Sequence, residues 1–242
     1  MTKRRLRSAW NERRKGQLQI DLRPRTKRGA LRKKLGRPAT GRRMDPRHRP
    51  RPEVDPRHPV HVVLRVTREV RSLRTRHAYR AIRRAVANAR ARADFRVVHM
   101  SIQSNHVHLL VEADGKDALR SGMQGFAISA ARRLNRELRR RKGDVFAYRY
   151  HATAITNPTQ ARNAICYIVN NWRHHGCDRD MRWRTDPYSS AHAIAEWRID
   201  PHPEHLPVVR ATTWLLTDGY KRADPIHPDD VPGPDPMPYD QP

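Results

Sequence analysis

Asn105-His106-Val107-His108-Leu109-Leu110-Val111-Glu112 sets Val107, Leu109 and Val111 on one side and His106, His108, Leu110 and Glu112 on the other. That period of two is the signature of a β-strand. Just before it, Gln103-Ser104-Asn105 is long enough only for a turn, and Phe95 to Ile102 is again β-like, so the two runs form an antiparallel hairpin. Further upstream, Val60 to Thr67 alternates Val60, Val62, Leu64 and Val66 with His61, Val63, Arg65 and Thr67, a first strand. Between these strands, from about Ser72 to Ala93, Leu73, Tyr79, Ile82 and Val86 recur at three and four with arginines elsewhere, an amphipathic helix. Asp117 to Arg141 repeats that pattern through Leu119, Met123, Phe126, Ala130, Leu134 and Leu138. His151 to Thr156 reads as a short strand, and Asn157-Pro158 places a cap and a first-turn proline ahead of a third helix reaching about Arg173. The order strand, helix, strand, strand, helix, strand, helix predicts an α+β fold: a ferredoxin-like split βαβ antiparallel sheet with helices on one face and a final added helix.

The rest of the chain is dominated by charge. It has 242 residues, a formal net charge of +27 and only 37% hydrophobic residues, a balance that attracts polyanions and leaves part of the chain too polar to order itself. Residues 1–58 hold 21 Lys and Arg against five acids and read as a disordered basic arm. Residues 221–242, with seven prolines and five aspartates, read as a disordered tail. Residues 59–176 form the expected catalytic domain, and 177–220, with Trp183, Trp197 and Trp214, an extension packed on it. Arg132, Arg133, Arg136, Arg139 and Arg140 crowd one side of the second helix, and with this net charge their favoured partner is phosphate, which a planar guanidinium grips through two bonds. No run approaches the ~20 apolar residues of a membrane span, and the first residues lack the apolar core of a secretory signal, which points to the cytoplasm or nucleoid. Cys166 and Cys177 are too few for a disulfide scaffold and are expected as free thiols, Cys166 in or near the core.

His106 and His108 project from the same face of their strand, where two imidazoles can share a metal. On the third helix Tyr167 lies at the edge of the apolar stripe, and Asn171 sits one turn further on the same side. If that helix packs near the middle strand, Tyr167 reaches a metal-held phosphate and Asn171 supplies a carbonyl oxygen as third ligand. Two nitrogens and one oxygen with open positions suit Mg²⁺ or Mn²⁺. Tyr148 and Tyr150 are rival nucleophiles, but they alternate with Arg149 just before a strand, where a ring packs and Arg149 contacts phosphate. Glu112 reads as a solvated strand-end acid, and His174 and His175 as partners of the helix's carbonyl dipole.

These residues resemble the single-tyrosine HUH transposases of the insertion-sequence-200 kind, and among them the REP-associated tyrosine transposases. The likeness rests on Asn105 to Glu112, on Val145-Phe146-Ala147-Tyr148-Arg149-Tyr150-His151 beside the family's F-x-x-R-Y, and on Tyr167-Ile168-Val169-Asn170-Asn171 beside its Y-I-x-x-N. It covers roughly residues 59–176. The resemblance implies the HUH type of sheet, His106, His108 and Asn171 as ligands of a divalent ion, and Tyr167 as nucleophile on single-stranded or hairpin DNA, leaving a 5′-phosphotyrosine and a free 3′-OH. Gln103-Ser104 stands where the family has Met-Pro, and Trp172 where it has proline; these imply a changed turn and helix end. Some relatives exchange the nucleophile helix between subunits and others act alone, so a monomer or a homodimer is expected.

The expected function is therefore a metal-dependent DNA transposase or strand transferase. Two alternatives stay open at this point: a non-catalytic, domesticated nucleic-acid-binding protein on the same fold, and a phosphodiesterase whose metal activates water and leaves no protein adduct.

Overall fold

The strands β1 (Val60–Arg65), β2 (Phe95–Ile102), β3 (His106–Ala113) and β4 (His151–Ala154) form one antiparallel sheet in the order β2-β3-β1-β4. This is a computed structural model, and it describes residues 53–138, 143–178, 183–197, 199 and 204–233. In the central pair Val62 lies opposite Leu109 and Arg65 opposite His106. In the hairpin, Gln103 N–H bonds to the His106 carbonyl at 2.9 Å and the Gln103 amide donates to Ser101 Oγ, so the two residues in place of Met-Pro still close a tight turn. A bulge between Val97 and His99 turns both Val98 and His99 to the second face and returns Met100 to the first.

On the first face lie α1 (Arg76–Ala89) and α2 (Lys116–Glu137), packed with Val60, Val62, Leu64, Val107, Leu109 and Val111 into the larger core. α1 starts later than the periodicity suggests. Arg68–Val70 is a short 3₁₀ turn that leads to Arg71 at φ 59°, and only then does Thr75 cap the helix by accepting from Ala78 N–H. α2 can approach the sheet closely because Gly122 faces the ring of Phe95, and a Cβ there would collide with it. Phe95 is completely buried, a position where truncation to alanine costs about 3–5 kcal/mol.

The third helix does not join them. α3 (Pro158–His174), capped by Asn157 Oδ1 accepting from Gln160 N–H, packs Ile165, Ile168 and Val169 on Val98 and Leu110, which belong to the opposite face of the sheet. Helices therefore cover both faces, correcting the expectation of one. The second face looked solvated because it is polar: His61, His99, Ser101, His108 and Glu112 are all buried there.

The segments after α3 complete this second layer. Ala191, Ile194 and the short α4 (Trp214–Thr217), through Leu215 and Leu216, pack on α3. Of the three tryptophans, Trp197 packs on this layer and donates to the Ile226 carbonyl, whereas Trp183 is 61% and Trp214 47% exposed. Residues 221–233, expected to start a disordered tail, instead run along α3. Arg162 donates to the carbonyls of Asp224 and Pro225 and to the Asp230 carboxylate, Asn170 to the His227 carbonyl, and Arg173 to Pro228. Proline removes backbone donors but not acceptors, so a proline-rich strand can be held by its carbonyls alone. The rest of the tail, 234–242, and the arm up to 52 lie outside the described residues.

Candidate active site

β3 carries His106 and His108 to the second face, and their Nε2 atoms stand 2.8 Å apart. Each ring is held at its other nitrogen: His106 Nδ1 by Asn105 Oδ1 at 2.6 Å, and His108 Nδ1 by His61 Nε2 at 3.1 Å. His61 comes from β1, stacks on His108 with ring centroids 5.2 Å apart and is buried. Burial holds His108 well below the usual histidine pKa, helped by the nearby His106, His61 and His175 rings, and pushes His61 down to about 4. Both rings are therefore neutral at pH 7. Asn105 Oδ1 is an acceptor, so the His106 proton belongs on Nδ1, which leaves the lone pair of His106 Nε2 facing His108 Nε2 across 2.8 Å.

α3 crosses this pair with one continuous side. Tyr167 meets His108 edge-on at 5.2 Å and His61 at 6.0 Å, and two turns along, His175 meets His106 at 5.8 Å. Asn171 lies between them on the same side, at i+4 from Tyr167. It is completely buried, and neither Oδ1 nor Nδ2 has a hydrogen-bond partner among the described residues. An amide so placed is costly, about 1–3 kcal/mol, unless something else is bound there.

The donor set suits a divalent cation. Two ligands at about 2.1 Å and at right angles stand about 3 Å apart, close to the separation of the two Nε2 atoms, and the orphaned carboxamide oxygen adds a hard donor. Among the described residues no group of three or more His, Cys, Asp and Glu could hold a metal.

The other candidates separate cleanly. Tyr150 packs with the core of the first face, away from the histidines, and Tyr148 is 45% exposed before β4 with Arg149 exposed beside it. Arg132, Arg133 and Arg136 line a groove with Asn88 and Ile128 on α2, which places them across the sheet from Tyr167. Arg139 and Arg140 lie outside the described residues. Glu112 is neither solvated nor beside the histidine pair: it accepts from the backbone and hydroxyl groups of Thr212 and Thr213 and from Arg96. Burial would raise its pKa, but the hydrogen bonds from Thr213 and Thr212 outweigh it and leave the carboxyl lowered. Cys166 is buried as expected, with Sγ 3.8 Å from Asp230. Trp172 is fully buried, and in place of a proline it lets α3 continue to His174.

Two residues of this site were not anticipated. His61 could have been found by pairing strand faces, because the side of β1 that carries it adjoins the side of β3 that carries His108. Arg65 lies directly across from His106, so its side chain leaves β1 on the site's face.

Residues 56–171 match the family model described as Transposase IS200 like. The chain is similar to the structure of a REP-associated tyrosine transposase bound to a REP hairpin, with 18% identity and a TM-score of 0.48 over 60% of this chain and 82% of that one. It is also similar to the crystal structure of a candidate transposase from Deinococcus radiodurans R1, with 17% identity and a TM-score of 0.34 over 43% of this chain and 83% of the other. No match was found among curated proteins. No helix among the described residues is long and apolar enough to cross a membrane.

Proposed function

We propose, from the match of residues 56–171 to the family model described as Transposase IS200 like, that the chain cleaves and rejoins single-stranded DNA with Tyr167 as the nucleophile. The observation that carries the proposal is the packing of Tyr167 edge-on against His108, whose Nε2 faces that of His106 at 2.8 Å. Tyr148 is instead exposed, and Tyr150 packs with the core of the first face.

A divalent ion, Mg²⁺ or Mn²⁺, held by His106 Nε2, His108 Nε2 and Asn171 Oδ1 would polarise the scissile phosphate and favour the phenolate of Tyr167. The phenol, with an ordinary pKa near 10, needs that help at neutral pH. The Tyr167 oxygen then bonds to phosphorus, the bond from phosphorus to the 3′ oxygen breaks, and that oxygen takes up a proton to leave as a 3′-OH. A second 3′-OH can reverse the step on a new strand without ATP, because the phosphodiester bond energy is kept in the tyrosine linkage. Arg65, which pairs with His106 and so leaves β1 on the same face, supports the reading as a cation available to the negative charge that would grow on the phosphate.

The arginines of α2 cannot serve the same phosphate, because the sheet lies between. With Arg149 at the edge of β4, they are suited to hold DNA that flanks the reacting nucleotide, single-stranded or folded into a hairpin. The strongly positive chain makes that binding salt-sensitive.

The test is an adduct assay. Labelled single-stranded oligonucleotides bearing imperfect hairpins, incubated with Mn²⁺ or Mg²⁺, should give a protein–DNA band that survives SDS. The band should vanish in EDTA and in Tyr167→Phe and persist in Tyr150→Phe. Cleaved DNA without an adduct would instead establish a water-activating phosphodiesterase, and binding without cleavage on any hairpin tried a domesticated binder.

A further inference from the structure

The metal reading above rests on His106, His108 and Asn171, but the structure holds a third imidazole against that group. We infer that His61 is a positioning residue: its Nε2 accepts the Nδ1–H of His108 and so turns the lone pair of His108 Nε2 toward the bound ion. The inference goes one shell beyond the proposed ligand set and depends on it.

A neutral imidazole carries one proton, and which nitrogen bears it is set by the hydrogen bond the other side makes. His106 receives this instruction locally, from the side chain of its own neighbour Asn105 at 2.6 Å. Within His108's own strand the flanking side chains, Val107 and Leu109, point to the first face and are apolar, so neither can do the same. The partner has to come from the next strand. β1 pairs with β3 so that His61 stands opposite Leu110, one position of the same face away from His108, and the two rings meet at 3.1 Å in a buried bond. That bond would set the tautomer of His108, and the interplanar angle of 28° between the two rings fixes its plane. The same His61 ring touches Tyr167, with centroids 6.0 Å apart, so one side chain registers the metal ligand and the nucleophile against each other. Outer partners of this kind change metal affinity by about 10- to 100-fold when removed.

His61→Met keeps an apolar-compatible volume and loses the acceptor, whereas His61→Gln offers an amide oxygen at similar reach. Mn²⁺ binding is read from the free-ion signal in electron paramagnetic resonance, with folding checked by circular dichroism. The expected result is affinity weakened tenfold or more in His61→Met and restored to within about threefold of the parent in His61→Gln. In the parent protein saturated with Mg²⁺, ¹⁵N spectra should show the His108 proton on Nδ1. Equal Mn²⁺ affinity in a folded His61→Met protein would overturn the inference. So would a His108 proton found on Nε2 of the parent, a result that needs no variant to fold. Failure of the underlying metal reading looks different: His106→Ala would then leave Mn²⁺ affinity unchanged, whatever His61 does.

Discussion

Replacing Asn171 by leucine should make the metal-free protein more stable and the metal-loaded protein less so. The two side chains have the same branching, and the site is completely buried, with both carboxamide atoms lacking hydrogen-bond partners among the described residues. Without a cation the amide therefore contributes only its desolvation cost, about 1–3 kcal/mol, which leucine removes. For a unit of roughly 150–250 residues each kcal/mol moves Tm by about 2–4 °C, so Tm in EDTA should rise by about 2–12 °C. With Mn²⁺ at a thousand times Kd the parent gains about 4.1 kcal/mol from binding, more than the cost of the amide, and the variant forfeits that gain by losing an oxygen ligand. The order of the two proteins should reverse between EDTA and Mn²⁺ in thermal unfolding followed by circular dichroism. A variant that melts below the parent in EDTA, or that Mn²⁺ raises as far as the parent, would refute the assignment of Asn171.

Three more outcomes are expected. Burial, with the His192 charge nearby, pushes His99 down to about 4 from 6.5; the unfolded chain takes the proton first, so stability is whole above pH 6.5 and drains by about 1.4 kcal/mol per pH unit toward pH 4. His99→Gln should remove that share, leaving the slope due to His61, His108 and His192, and urea unfolding at pH 7, 6 and 5 would contradict this if the two proteins lost stability in parallel. Arg65→Ala should slow adduct formation about 100-fold at unchanged Mn²⁺ affinity, and a matching loss of metal binding would show that it acts on the site's structure instead. Replacing Arg132, Arg133 and Arg136 together by alanine should flatten the plot of log affinity against log salt by about two without slowing cleavage at saturating DNA, and an unaltered slope would remove these arginines from the interface.

How far residues alone reveal this molecule depends on whether the signal is periodic. The alternation of Val60 to Arg65 and of His106 to Ala113, and the three-four spacing in α1 and α2, lead directly to the observed split βαβ sheet, because one face of each element is plainly apolar. Asn157-Pro158 marks the start of α3 to the residue, since a cap and a proline act locally. The side of the sheet on which α3 packs was not readable in the same way. Its floor is made of His61, His99, Ser101, His108 and Glu112, polar groups that normally mean solvent and here are satisfied by long-range partners such as Ser190 and Thr212. The same blindness hid the strap at 224–230, which is held by arginine side chains that no periodicity encodes, and displaced Glu112 from solvent to an anchor of the C-terminal segments.

For the site, spacing paired His106 with His108 and Tyr167 with Asn171, the resemblance joined the two pairs, and the fold brings the strand and the helix that carry them together. Spacing passed over His61 because its role exists only once β1 and β3 are set in register.

The central claim is that Tyr167, and no other tyrosine, forms the bond to DNA. Trypsin separates the three candidates, since Tyr148 falls in Gly143–Arg149, Tyr150 in Tyr150–Arg162 and Tyr167 in Asn163–Arg173. Mass spectrometry of the digested, nuclease-trimmed adduct should find a residual nucleotide 5′-phosphate on Asn163–Arg173, with fragments placing it on Tyr167. The same mass found on either of the other two peptides would contradict the account.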